Sequence, residues 1–328
     1  MTRVLDRLRA RARAARHHIV LPEGQDPRVR EAAARAVADG LARVTLLAPE
    51  GTPVPEGVAL RDPATAEPER MARLWLEARA ARRPREAQAR EAAADPLVHA
   101  ALMVRGGLAD GTVAGAVAST PLTVRTAVQV LGRAPDALIL SSFFIMALPD
   151  THPVRPGAAM IFSDCALAIE PDADELAAIA RGAAAACRLF LEEEPCVAML
   201  SFSTLGSARH MAVSRVARAT AILRAEDAFA VDGEMQFDAA FDAGVGRAKA
   251  PDSPVAGRAN VLVFPNLDAG NIGYKIAQRV GGATAIGPVL AGLAAPMNDL
   301  SRGCTADDIV DMIAVTSAQI DELRNAHL

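Results

Sequence analysis

The chain has 328 residues, well beyond the usual single-domain size of roughly 100–200, and its 51% hydrophobic and 23% charged content excludes a disordered chain. A formal net charge of −4, with no dense basic patch beyond a short N-terminal segment, excludes nucleic acid as the main partner. No apolar run approaches the roughly 18 residues of a membrane span, so no membrane partner is expected.

Met1–Arg16 reads as an Arg/Ala helix with apolar residues at Val4, Leu5 and Leu8. It lacks an apolar h-region and a small-residue cleavage site, so it is no secretory signal. Asp6 and the strand that follows argue against a transit peptide, and the expected compartment is the cytoplasm. His18–Pro22 reads as a buried strand, 28–40 as a helix with Asp26 as N-cap, Pro27 in its first turn and Gly40 as its stop, and Val44–Ala48 as the next strand. Strand–helix–strand spacing of this kind means parallel pairing through crossover helices. Further strands are expected at 101–105, 112–116, 137–143, 158–163, 197–202, 229–232, 260–264 and 284–287, with helices between them and a closing helix over 307–324. The class is α/β.

Segment 49–70 reads as a surface connection, 147–156 with its three prolines as a lobe boundary or a strand-to-strand loop, and 294–303 as a segment between regular regions. No internal repeat is present. Of the 35 Lys and Arg residues only Lys249 and Lys275 are lysine, a compositional bias that discounts single surface arginines as functional signals. Cys165, Cys187, Cys196 and Cys304 have neither CxxC spacing nor a nearby His cluster, which argues against zinc and against a disulfide framework.

Four stretches carry more polar and Gly content than packing needs. Ser201–Ala208 follows a strand and is expected to open a helix, so its hydroxyls and free N–H groups suit an anion such as phosphate; the alternative is a capped helix after a tight turn. Asp232-Gly-Glu-Met-Gln-Phe-Asp238 lies just past a strand end, where α/β sheets bind ligands, or is a solvated acidic loop; a metal is poorly supported without His. Phe264-Pro-Asn-Leu-Asp-Ala-Gly-Asn-Ile-Gly-Tyr-Lys275 reads as a strand running into a polar cleft-lining loop, and matches neither a Walker A sequence nor GxGxxG. Asn298–Asp308 places Ser301 and Arg302 in a turn and Thr305 at an N-cap with Asp307 and Asp308 in the first helical turn. Ordinary capping explains these acids, or Arg302 is a carbonyl or phosphoryl clamp and Asp308 a general base. The candidate substrate-binding residues of the first and third stretches are Ser203, Thr204, Gly206, Ser207, Asn271, Tyr274 and Lys275.

Together these stretches resemble the phosphate acetyl/butyryl transferase family, in the short form of its phosphate acetyltransferases (phosphotransacetylases). The resemblance runs from Ile19–Gly24 through Asp95-Pro96, Asp110–Gly115, Phe162–Cys165, Leu200–Thr204, Asp232–Asp238 and Val255–Asn260 to Phe264–Lys275 and Asn298–Gly303. It implies reversible acetyl transfer between acetyl-CoA and inorganic phosphate, giving acetyl phosphate and CoA. It also implies a homodimer whose chains have two α/β lobes, mainly parallel sheets and the active-site cleft between the lobes. The closing helix would return to the first lobe, dividing the chain into 1–139 plus 299–328 and 140–298. No cofactor is expected to be bound permanently, coenzyme A and acetyl-CoA being substrates, and no metal.

By the same resemblance Ser301 and Arg302 form the catalytic pair, Asp308 is the catalytic aspartate, and Arg125 and Arg79 are substrate-binding arginines. Two departures stand out: Arg82-Arg83 replaces a Lys-Gly pair after Arg79, and Leu205 stands where a basic side chain is expected. A carboxylate in a partly dry cleft gains basicity, which suits Asp308 to deprotonate the CoA thiol. Arg302 would stabilise the oxyanion and Ser301 would orient the thiol, with direct attack in a ternary complex. Cys304 is expected at the cleft rim, open to a bulky thiol reagent but not the acyl carrier. The alternatives are butyryl or propionyl transfer on the same scaffold, an inactive CoA- or acyl-phosphate-binding regulator, and a dehydrogenase of related architecture that lacks its dinucleotide fingerprint.

Overall fold

A computed structural model describes residues 3–83 and 85–325, and divides into two compact units, one of residues 5–135 and 293–325 and the other chiefly Asp136–Gly292. The first unit carries β1 (His18–Leu21), β2 (Arg43–Leu47), β3 (Ala59–Arg61), β4 (Gly111–Ala114) and, from late in the chain, β11 (Met297–Asp299). The second carries β5 (Ser141–Ala147), β6 (Ala159–Ser163), β7 (Cys196–Leu200), β8 (Ala230–Met235), β9 (Val261–Val263) and β10 (Thr284–Ala291).

The first sheet has the order β11-β4-β1-β2-β3 and every ladder in it is parallel. Its closing helix, Ala306–Asn325, packs on β4 and on the helix Pro27–Ala38. Gly111 permits that approach, since a Cβ there would sit 2.9 Å from Thr316 Cγ2. Asn298 Nδ2 donates to Thr316 Oγ1 at 2.9 Å and Gln319 Oε1 at 3.0 Å, locking β11 to the same helix. These contacts, with the Ala294 N–H on the Gly132 carbonyl and a bridge between Arg133 and Leu293, tie 293–298 to the first unit. The division therefore falls a few residues earlier than 139/140 and 298/299, because β11 must pair with β4.

The second sheet has the order β10-β5-β6-β9-β7-β8, parallel from β6 to β8 and antiparallel at β10/β5 and β5/β6. Phe144, Met160, Phe162, Leu200, Met235, Leu262 and Phe264 form part of its core. The proline-rich segment after β5 is the loop joining β5 to β6, inside the second unit.

Three expectations are corrected. Residues 101–105 are helical, within Pro96–Arg105, where Asp95 accepts from the Leu97 and Val98 N–H groups and Pro96 opens the first turn. Leu97 and the run 99–104 are buried almost all round, so the apolar run lacks the 3.6-residue signal that separates a buried helix from a strand. The strand expected at 137–143 begins only at Ser141. The polar loop expected after 264 is a helix, Leu267–Arg279, capped by the Asn266 side chain on the Ala269 N–H. β3 and β11, three residues each, carry too short a pattern to read.

The helix Leu267–Arg279 contains its glycines for packing. A Cβ at Gly270 would lie 2.1 Å from the Asp164 carbonyl oxygen, and one at Gly273 3.0 Å from Phe264 Cε1. Gly270→Ala gains about 1 kcal/mol of helix propensity but meets rigid backbone, an overpacking cost of about 1–3 kcal/mol or more. The variant is expected to unfold at lower temperature than the native chain, which a calorimetric scan reads directly; an unchanged or raised midpoint would show that the helix can shift freely.

Candidate active site

Parallel pairing brings the carboxyl ends of neighbouring strands together, and at such edges the following loops converge. In the first unit β1, β4 and β11 are adjacent and deliver Glu23, residues 115–118 and Ser301-Arg302 to one edge. The Glu23 carboxylate accepts from four consecutive backbone N–H groups, Gly115 at 3.3 Å, Ala116 at 2.8 Å, Val117 at 2.9 Å and Ala118 at 2.7 Å. Those donors precede the helix Thr120–Val130, which carries Arg125 on an exposed position.

Asp299 ends β11 in full burial, with Oδ2 accepting from Thr120 Oγ1 at 2.5 Å and Oδ1 without a hydrogen-bond partner among the described residues. Burial pushes its carboxyl up to about 6, the Thr120 hydroxyl offsetting part of that rise. Directly after it Ser301 and Arg302 stand exposed in the turn before the closing helix. Among the described residues the Arg302 guanidinium makes no hydrogen bond or ion pair.

Thr305 and Asp308 cap that helix reciprocally. Asp308 Oδ2 accepts from the Thr305 N–H at 2.7 Å and hydroxyl at 2.9 Å, while Thr305 Oγ1 accepts from the Asp308 N–H at 3.2 Å. Asp308 is exposed, not in the partly dry setting expected for it. Cys304 is likewise corrected: it is buried, and burial pushes its thiol up to about 11 rather than opening it to a bulky reagent.

Arg79 lies on another part of the unit, at the end of the helix Pro68–Ala78. It lines a pocket of about 800 Å³ with Trp75, Arg82, Arg83, Arg85 and Glu91, and its Nε is buried without a partner. The Arg82-Arg83 departure thus adds guanidinium groups around one opening. Among the described residues no hydrogen bond or ion pair joins Arg79 or Arg125 to 301–308.

In the second unit the carboxyl edge of β6, β9, β7 and β8 gathers Asp164, Asn266, Ser201–Ala208 and Gln236. Ser201–Ala208 does not open a helix; the next one begins at Met211 under a His210 cap. Nor are its donors free. Glu234, buried on β8, accepts from Ser203 Oγ at 2.8 Å and the Gly206 N–H at 2.7 Å, Ser207 Oγ accepts from the Thr204 N–H at 3.0 Å, and Thr204 Oγ1 accepts from the Gln236 N–H at 3.0 Å. A carboxylate of the chain thus takes two of the donors expected to hold an anion, and Leu205, at φ 45°, brings no charge to the loop. On the helix Leu267–Arg279, Asn271 donates to the Cys165 carbonyl at 3.1 Å, Lys275 donates to Asn271 Oδ1 at 2.6 Å and Tyr274 stacks on Phe144 at 4.0 Å.

The sequence profile described as phosphate acetyl/butaryl transferase matches residues 3–317. The chain belongs to that family. A phosphate acetyltransferase of Paracoccus denitrificans is 54% identical over 318 residues, covering 96% of this chain and 98% of the relative. Among solved structures, the EutD phosphotransacetylase from Staphylococcus aureus superposes with a TM-score of 0.85 at 38% identity, covering 97% of this chain and 98% of that one. A phosphotransacetylase from Streptococcus pyogenes gives 0.89 at 39% identity with the same coverage.

No individual role is legible in the sequence for Glu23, Arg28, Glu234 or Asp299, although the last two lie in the polar stretches 232–238 and 298–308. Arg28 falls among the arginines discounted by composition, and the acids carry no spacing signal because their partners, backbone N–H groups and hydroxyls alike, are remote in sequence. Asp299 also has a measurable consequence. Its folded value near 6 exceeds the roughly 3.9 of an unfolded aspartate, so the folded state binds the extra proton and stability falls as pH rises through that window. Asp299→Asn cannot ionise. Its stability relative to the native chain is expected to rise by up to about 3 kcal/mol between pH 4 and pH 7. Urea midpoints at both pH values check this, and a pH-independent difference would refute it.

Proposed function

We propose that the chain catalyses reversible acetyl transfer between acetyl-CoA and inorganic phosphate, giving acetyl phosphate and CoA, with chemistry centred on the Ser301-Arg302 turn. The observation that carries this reading is the exposed Arg302 guanidinium at the carboxyl edge of β11, unpaired among the described residues, in a chain 54% identical to a phosphate acetyltransferase. In the CoA-acetylating direction the thiol proton passes to Asp308, sulfur attacks the acetyl carbonyl of acetyl phosphate, and phosphate leaves. The reverse reaction returns the same proton to the departing thiolate. Asp308 Oδ2 is occupied by Thr305, so the cap fixes the carboxylate and leaves Oδ1 to take the thiol proton. Arg302 stabilises the oxyanion and Ser301 orients the sulfur. The buried Cys304 thiol supports direct transfer in a ternary complex over an enzyme thioester.

CoA is anionic, and arginines pair with phosphates through a planar fork. Arg79 and Arg125 are its proposed contacts, with Lys275, Tyr274 and Asn271 and the hydroxyls of Ser203, Thr204 and Ser207, beside Gly206, as further substrate-binding residues of the second unit. The Glu234 contacts must be exchanged if Ser203 and Gly206 are to meet a ligand anion.

Phosphate-dependent loss of thioester absorbance with acetyl-, propionyl- and butyryl-CoA tests the reaction and its acyl preference; loss that ignores phosphate rejects it. Arg302→Gln is expected to lower kcat by about 10²–10³ with a smaller effect on KM, and Asp308→Asn by at least about 10². A pure KM effect would reassign Arg302 to ground-state binding.

The working form is proposed to be a cytoplasmic homodimer without a resident cofactor. Ile272, Ile276 and Val280 recur every fourth residue on and beyond the helix Leu267–Arg279 and are all exposed, an apolar stripe that a second copy would cover. Sedimentation should show twice the 34.2 kDa chain mass, and Ile276→Glu should release monomers. A native monomer would end this part of the reading.

A further inference from the structure

Arg28 follows the N-cap of the helix Pro27–Ala38 and is remote in sequence from the turn proposed to do the chemistry. A guanidinium carries five N–H donors in a rigid fork, and here all five are used. Nη1 donates to the Arg302 carbonyl at 2.8 Å and the Cys304 carbonyl at 2.9 Å. Nη2 donates to the Ala116 carbonyl at 2.8 Å and to Asp26 Oδ2 at 2.8 Å, and Nε to Asp26 Oδ1 at 3.1 Å. Asp26 in turn is held below the usual carboxylate range, chiefly by its hydrogen bonds from Arg28.

We infer that Arg28 is a positioning residue that clamps the Ser301-Arg302 turn to the 115–118 segment and thereby sets the aim of the Arg302 side chain; this rests on the reading of Ser301-Arg302 as the reacting turn. The turn has few other restraints. Within it the Cys304 N–H bonds the Ser301 carbonyl, and Ser301, Arg302 and Gly303 are exposed. The Arg28 bonds to both the Arg302 and Cys304 carbonyls fix two peptide planes at once. Its bond to Ala116 ties them to the segment whose N–H groups hold Glu23 and which leads into the helix bearing Arg125. A lysine has a point charge with three donors on a flexible stem and cannot satisfy three carbonyls and a carboxylate in this plane.

Misplacing a reacting group by about 1 Å costs about 10²-fold in rate, so the effect belongs in kcat rather than in substrate affinity. The test compares Arg28→Lys, Arg28→Gln, Asp26→Asn, Arg302→Gln and the Arg28→Gln/Arg302→Gln double variant by steady-state kinetics, with thermal midpoints as the folding control. Arg28→Lys and Arg28→Gln are expected to lose about 10- to 100-fold in kcat with acetyl-CoA KM within about threefold. Asp26→Asn, which keeps the guanidinium but loosens it, should lose less. The double variant should fall little below Arg302→Gln alone, because the clamp acts through that side chain. Native kcat in both Arg28 variants beside an impaired Arg302→Gln overturns the clamp and leaves the reading of the turn intact. Full recovery of kcat in Arg28→Lys, or multiplicative losses in the double variant, also overturns it. An unimpaired Arg302→Gln overturns the reading of the turn and the clamp with it.

Discussion

The Glu23 carboxylate is bound by four consecutive backbone N–H groups of 115–118, and the arrangement of the first unit's loop edge follows from that one interaction. A carboxylate accepting several N–H groups satisfies donors that would otherwise stand orphaned at a helix entrance, and it fixes a segment with no regular structure of its own. The same segment then offers the Ala116 carbonyl to Arg28 and leads to Thr120, whose hydroxyl meets Asp299. Arg28 passes the constraint to the carbonyls of Arg302 and Cys304. The exposed turn thus rests on a chain of charge-assisted hydrogen bonds anchored in the sheet.

The second unit solves the same problem with another glutamate. Glu234, on β8, closes the 201–208 loop through Ser203 and Gly206. In both units a carboxylate from an adjacent strand end occupies the donors that an anionic ligand would otherwise attract. The two differ in what stays open. Among the described residues the Arg302 guanidinium of the first unit is unpaired, whereas the hydroxyl-rich loop of the second is held by hydrogen bonds of its own and to Glu234 and Gln236. That difference supports the proposal that the reaction is centred on the turn after β11.

Burial separates the acids by role. Asp299 is taken out of water with one oxygen unpaired, which raises its carboxyl, while Asp308 stays exposed and is oriented by Thr305. Two aspartates nine positions apart in sequence thus stand in opposite environments, one buried and one exposed. Cys304, between them, is shielded by the same packing that supports the turn.

Much of this was legible in the residues themselves. Alternating apolar runs and helical stretches determined a parallel α/β class, Asp26 and Pro27 a helix start, and Thr305 with Asp308 a capping box, because each is a local pattern whose partner lies within a few residues. The tertiary structure decided the rest. Residues 101–105 lie in a helix started by Asp95 and Pro96 whose period is hidden because it is buried on nearly all sides, and the polar stretch after 264 is a helix that Gly270 lets lie against Asp164. The partnerships of Glu23 with 115–118, Arg28 with 302–304 and Glu234 with 203–206 have no sequence signature, since each joins one side chain to groups far away in sequence that the parallel strand order brings near.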